Sequence, residues 1–207
     1  MAQVDEIDRI ISSVERDDAT VPVLINTKRF ADQRGWFQES YSEQRYAELG
    51  ITCQFVQDNE SMSTQRGTIR GLHFQTPPMA QAKLVRVMKG SVLDVAVDIR
   101  AGSPTYGRFL AVELSAANAK QFYIPEGFAH GFYTLEDETI VSYKVSRFYS
   151  PQHDGGIRWD DPQIGIPWPE SKAVVVSDKD SRQPLLKEWQ SKFAYTGEPL
   201  APSLVEE

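Results

Sequence analysis

Cysteine is nearly absent from this chain. Cys53 is the only one among 207 residues, so an intrachain disulfide and a cysteine-rich zinc site are both excluded. A reducing cytoplasm is the compartment such usage suits. Basic charge is also in short supply: 22 Lys and Arg stand against 29 Asp and Glu, a net charge of −7, and the cations are dispersed rather than striped. That balance argues against nucleic acid and anionic membrane as partners, and an anionic ligand would need a local basic cluster. No apolar run approaches the roughly 18 residues of a membrane span. The acidic start, 1–18, lacks the apolar core of a secretion signal. No G-x-S-x-G elbow, Walker loop or dinucleotide glycine fingerprint occurs, which leaves hydrolase, nucleotidase and dehydrogenase readings without their machinery. Histidine is limited to His73, His130 and His153. Metal-binding jelly rolls present H-x-H with a nearby Glu and a later His; after His73 no histidine follows until His130, so no metal or other cofactor is expected.

What the chain does contain is an ordinary globular composition, 41% hydrophobic and 25% charged, which suits one domain of roughly 150–200 residues with terminal embellishment. Ile7, Ile10, Ile11 and Val14 follow helical spacing and predict a short N-terminal helix within an extension over 1–20. From Val23 to about Lys144 the pattern turns to short period-two runs, with one helix between a Ser42 cap and a Gly50 stop. Strands are expected at Thr68–Gln75, Ala82–Met88, Ser91–Ile99, Phe109–Leu114, Gln121–Ile124, Gly131–Leu135 and Thr139–Val145, with Lys89-Gly90 as a tight hairpin turn. In the third strand Leu93, Val95, Val97 and Ile99 share one face and Asp94, Ala96 and Asp98 the other. So many short strands predict a mainly β fold, a sandwich or barrel of jelly-roll type, over 21–170. The segment 171–207 is expected to wrap that domain and to carry a helix around Leu185–Phe193.

Function concentrates in Arg70-Gly71-Leu72-His73-Phe74-Gln75 and in Lys83 on the next strand. An imidazole titrates near neutrality, and a neighbouring cation can hold the negative charge that proton abstraction creates. Tyr143 shares strand parity with Val141 and Val145, so its ring should point into the barrel. Residue pattern alone leaves plainer roles open. His73 and His130 could be hydrogen-bonded strand residues, Lys83 a solvated edge lysine, Tyr143 a packed aromatic, and Asp180 a turn or cap carboxylate. His153 reads as a solvent-exposed loop residue and Cys53 as a small core residue.

The runs FADQRGWFQESY (30–41), FVQDN (55–59), RGLHFQ (70–75), KLVRVMKGSVLDVAVDIR (83–100), SPTYG (103–107), IPEGFAHGF (124–132), YK (143–144) and IGIPWP (164–169) occur in order. Together they resemble the dTDP-4-dehydrorhamnose 3,5-epimerases from about Phe30 to Asp180. The resemblance implies a homodimeric, cytoplasmic, cupin-type jelly roll (a double-stranded β-helix) that uses no metal and inverts C3 and C5 of a dTDP-linked 4-keto-6-deoxyhexose. It assigns His73 as base, Asp180 as the carboxylate behind it with Asp178 as fallback, Lys83 as stabiliser of the enolate oxygen and Tyr143 as acid. Arg34, Glu39, Gln57, Asn59, Arg70, His130, Asp154 and Lys179 match positions that contact the nucleotide sugar. Asp154 stands where relatives carry Glu, Phe148 where a stacking Tyr is common, and Trp36 where Phe is usual. Those departures leave open an epimerase acting at one carbon or on another carrier; a separate alternative, of another class, is a non-catalytic nucleotide-sugar-binding jelly roll.

Overall fold

The computed structural model describes residues 19–169 and 174–197, so the expected helix over Ile7–Val14 lies outside the described residues. The described chain is mainly β. Twelve strands appear in the order β1 (Val23–Ile25), β2 (Arg29–Asp32), β3 (Gly35–Gln38), β4 (Gln57–Ser63), β5 (Ile69–Gln75), β6 (Lys83–Lys89), β7 (Ser91–Asp98), β8 (Phe109–Ser115), β9 (Gln121–Ile124), β10 (Phe128–Thr134), β11 (Thr139–Val145) and β12 (Asp154–Gly156). Ten of them form two five-stranded antiparallel sheets, β1-β9-β6-β11-β4 and β12-β5-β10-β7-β8, and β2 pairs only with β3 as a separate hairpin. Helix α1 (Glu43–Ala47) starts where Ser42 accepts from the Arg45 amide, and Gly50 ends the turn at φ +76, as expected.

The two sheets face one another across one apolar layer. Val85, Val87, Phe122, Ile124 and Val141 of the first sheet meet Val92, Ala96, Leu110, Leu114, Phe128 and Phe132 of the second. Each such side chain, fully buried, contributes about 1.5–3 kcal/mol. On β7 the predicted alternation holds, but both faces are covered: Val95 and Val97 pack in an outer cluster with Leu72, Ile157, Leu186 and Phe193. That outer cluster is where the C-terminal segment lies against the second sheet.

Three expectations change. Lys89-Gly90 is not a hairpin turn, because β6 and β7 belong to different sheets; Gly90, at φ +78, turns the chain from one sheet to the other. No helix spans Leu185–Phe193. A single 3-10 turn covers Leu186–Glu188, then Trp189 is extended at φ −105, ψ 131. The Leu186 amide is taken by the Asp161 carboxylate at 2.6 Å, and Trp189 and Phe193 pack on the Phe74 ring with centroids 4.8 and 6.0 Å apart, so tertiary contacts override helical propensity. Finally, β10 begins at Phe128 rather than Gly131, which brings His130 into the strand.

One irregularity positions the site. In an unbroken strand Arg70 and His73, three residues apart, would point to opposite faces. On β5, however, His130 pairs with His73 and Phe132 with Arg70, so Gly131 of β10 opposes both Gly71 and Leu72 of β5 and the Arg70 and His73 side chains both reach the interior. The bulge centres on Gly71 at φ +137, whose imagined Cβ would lie 2.5 Å from the Gly131 Cα. Only glycine fits there. Gly71→Ala is expected to destabilise the protein by about 1–3 kcal/mol; an unchanged urea midpoint would show that the close approach is not a constraint.

Candidate active site

A cavity of about 720 Å³ opens between the sheets, lined by His73, Lys83, His130, Tyr143, Asp180, Arg70 and their neighbours. His73 and His130 come from the second sheet, through β5 and β10, while Lys83 and Tyr143 come from the first, through β6 and β11. Inward parity explains the second pair: Lys83 alternates with Val85 and Val87, and Tyr143 with Val141 and Val145. Gln57, Asn59 and Ser61 reach the same cavity from β4, again at alternating positions.

His73 Nε2 lies 2.6 Å from an Asp180 oxygen. The other oxygen of Asp180 accepts from the Gly71 amide at 3.2 Å, and the Asp180 amide donates to Ser177 Oγ, the cap of the short helix α2 (Asp178–Ser181). Burial raises the Asp180 carboxyl pKa, but the hydrogen bond and charge of His73, with the Gly71 amide and Lys179, outweigh it and hold the group below its ordinary value. Asp178 is 94% exposed and faces Arg182, so the fallback partner plays no part here.

Lys83 is buried, and its ammonium donates to the His73 carbonyl at 3.2 Å. Desolvation lowers its pKa to about 8, opposed by the charges of Asp94 and Asp154. Tyr143 is pushed above the ordinary phenol value by burial, with Arg70 pulling the other way. Its hydroxyl has no hydrogen-bond partner among the described residues. Arg70 is steadied by Ser63 Oγ at 3.1 Å and the Met62 carbonyl at 3.0 Å. Gln57 donates to Asn59 at 2.8 Å. Lys179 and Asp154 are bonded to each other, and Tyr149 donates to Asp154 at 3.3 Å.

Ten of the twelve sequence-assigned residues therefore line one cavity. Arg34 and Glu39 do not: Arg34 pairs with Asp32 in the β2–β3 turn, 84% exposed, and Glu39 pairs with Arg45. Of the two neighbouring exposed aromatics, Tyr149 borders the cavity and Phe148 does not. His153, expected in solvent, is half-buried and shares a hydrogen bond with Ser150 Oγ at 2.8 Å. Cys53 is half-buried near the Tyr123 hydroxyl, and burial raises its pKa. Sequence reasoning missed Asp94, fully buried behind His130. Its signal was a carboxylate at an inward position of an otherwise apolar strand. Among the described residues no group of three or more His, Cys, Asp or Glu is arranged to hold a metal ion.

An imidazole backed by a carboxylate, a buried ammonium beside it and a phenol on the facing sheet form a proton-transfer site next to a place for negative charge. Fold and site together define a cupin-type jelly-roll epimerase. The family model for dTDP-4-dehydrorhamnose 3,5-epimerase matches residues 20–188. The enzyme of that name from Sinorhizobium fredii is 52% identical over 172 residues, 83% of this chain and 88% of the relative. The Salmonella typhimurium enzyme is 50% identical over 165 residues, 79% of this chain and 90% of the relative. A crystal structure from Legionella pneumophila, of an epimerase in complex with dTDP-4-keto-L-rhamnose, superposes with TM-score 0.82 at 44% identity, covering 87% of this chain and 97% of that one. The chain belongs to the dTDP-4-dehydrorhamnose 3,5-epimerase family.

Because the folded pKa of Asp180 lies below its ordinary value of 3.8, its ionised form stabilises the protein above that pH, and the contribution is lost as pH falls through the folded value. Asp180→Asn should therefore be less stable than wild type by a constant amount above pH about 5, with the gap closing in more acid solution. Urea melts from pH 3 to 7 test this; a gap that is unchanged throughout would remove the charge from the interaction.

Proposed function

We propose that this chain epimerises C3 and C5 of dTDP-4-dehydro-6-deoxy-D-glucose to give dTDP-4-dehydro-L-rhamnose. The C4 ketone acidifies the hydrogens on both neighbouring carbons. His73 takes one of them as a proton, with Asp180 holding the imidazole in place and stabilising its charged form. The electron pair left on carbon moves onto O4, and Lys83 stabilises the resulting enolate. Tyr143 returns a proton to the carbon from the other side, and the centre is inverted. The observation that carries this reading is the opposed placement of the two groups: His73 stands on one sheet and Tyr143 on the sheet facing it. A base and an acid on the same wall would return the proton to the face it left.

Arg70, Gln57, Asn59, His130, Asp154 and Lys179 hold the nucleotide sugar in this scheme, with Arg70 and Lys179 supplying the cationic contacts that a diphosphate needs in a chain of net charge −7. Arg34 and Glu39 reach a nucleotide only from a second copy of the chain. The exposed Phe30, Trp36 and Phe37 on their hairpin support that homodimeric arrangement. The substrate and the absence among the described residues of any helix able to cross a membrane suit a cytoplasmic enzyme. A single-carbon reading has a relative of its own, a 3'-monoepimerase from Streptomyces bikiniensis, at 29% identity with TM-score 0.76. The 3,5-epimerases at 43–52% identity weigh against it.

Deuterium exchange decides between them. In deuterium oxide, signals of both the C3 and C5 protons of the dTDP-4-keto sugar should vanish; loss at one carbon only would make this a monoepimerase, and loss at neither would refute the function. His73→Ala should slow exchange by about 10²–10⁴-fold. Tyr143→Phe should impair inversion more than exchange. Since Lys83 acts as an ammonium with pKa about 8, kcat/KM should fall roughly tenfold per unit above that pH. A flat profile to pH 10 would remove Lys83 from this role.

A further inference from the structure

A second histidine–carboxylate pair stands at the wall of the same cavity, with His130 lining it and Asp94 buried behind, and the scheme above gives the carboxylate no step. Asp94 is 0% exposed. Its two oxygens stand 2.9 and 3.1 Å from His130 Nε2, and it makes no other side-chain hydrogen bond among the described residues. A carboxylate so deeply buried is costly unless a cation or several donors compensate it. One imidazole N–H is a small compensation. Lys83 lines the same cavity as His130, and the charge of Asp94 opposes the effect of burial on it. The groups facing Lys83 are Asp94 from β7, Asp154 from β12, His130 from β10, His73 from β5 and Tyr143 from β11.

His130 is buried against the same charges. Burial lowers its pKa, opposed by Asp94, so the ring is neutral at neutral pH and carries a single N–H. With Nε2 directed at a carboxylate, which only accepts, the proton belongs on Nε2 and the lone pair on Nδ1. Nδ1 has no protein partner among the described residues, and His130 lines the cavity. The hexose offers hydroxyl donors there.

We propose that Asp94 is a positioning residue for the epimerisation: it holds the His130 proton on Nε2, so that Nδ1 accepts from a hydroxyl of the hexose, and it supplies the fixed negative charge beside which Lys83 remains an ammonium. The hexose and the enolate in this statement rest on the epimerase reading; the tautomer and the charge of Lys83 do not. Both can be measured without substrate. Nitrogen-15 NMR of the wild-type protein should show His130 protonated on Nε2, and a ring protonated on Nδ1 overturns the proposal.

Asp94→Asn separates the two roles, because the amide oxygen still accepts from Nε2–H while the charge is gone. The Lys83 titration midpoint should then fall from about 8 to below about 7, and the alkaline limb of kcat/KM should move down with it. A midpoint that stays in place overturns the charge role, whatever happens to activity, since a merely structural change would not move or preserve it selectively. Asp94→Glu, which keeps the charge, should restore the midpoint. If Asp94→Asn fails to fold, as judged by circular dichroism, the Asp94→Glu titration and the wild-type tautomer decide. Failure of the epimerase reading looks different: the wild-type protein would exchange neither the C3 nor the C5 proton, with tautomer and midpoint as proposed.

Discussion

The hydrogen bond between His73 and Asp180 joins residues 107 positions apart, and much of the described structure serves to make its 2.6 Å contact possible. The bulge at Gly71 turns His73 inward beside Arg70, and the same glycine gives its amide to Asp180. Ser177 caps the short helix that presents the carboxylate. The parallel bridge between Thr68 and Val175 lays the returning chain along β5 so that Asp180 arrives at the right height. A hydrogen bond to a charged group adds about 1.5–3 kcal/mol, too little to organise a fold. The apolar layers fix the geometry, and the pair then uses it.

Desolvation gives the cavity its chemistry. An ammonium in water is a poor stabiliser of an enolate because water already solvates both; in the proposed reaction Lys83, buried between two sheets, meets the enolate with little screening. The cost appears as a pKa lowered to about 8, and the charges of Asp94 and Asp154 keep it from going lower. Asp180 shows the opposite balance, with burial overcome by its partners. Each carboxylate at or behind the cavity wall thus has a basic partner: Asp180 has His73, Asp94 has His130, and Asp154 has Lys179.

Much of this was legible from residues. Period-two alternation located β5 to β9 and β11 within a residue at each end and placed Tyr143 on an inward position, because parity is a local property of an extended chain; Lys83, which pattern alone left open to a solvated-edge reading, is turned inward by the fold. Among the strands of three or four residues only β9 was found, and β1, β2, β3 and β12 escaped because so few positions rarely show a period. β4 escaped for another reason. Its inward positions are Gln57, Asn59 and Ser61, polar because they line a cavity, and Ser63, which accepts from Arg70, so hydrophobic alternation is missing where the site replaces it. The helix expected over Leu185–Phe193 failed because Asp161 and Phe74 claimed its amide and its rings.

The sequence by itself determined the mainly β class, the inward faces of the long strands, and a scarcity of histidine and cysteine that left few candidates for chemistry. Those are consequences of local sterics and composition. Only the tertiary structure decided that Asp180 rather than Asp178 backs His73, that β6 and β7 part into different sheets, that Asp94 sits behind His130, and that Arg34 and Glu39 stand away from the cavity. Each of those depends on which distant segments share a wall of the barrel, and the packing of two sheets settles that through contacts no local pattern encodes.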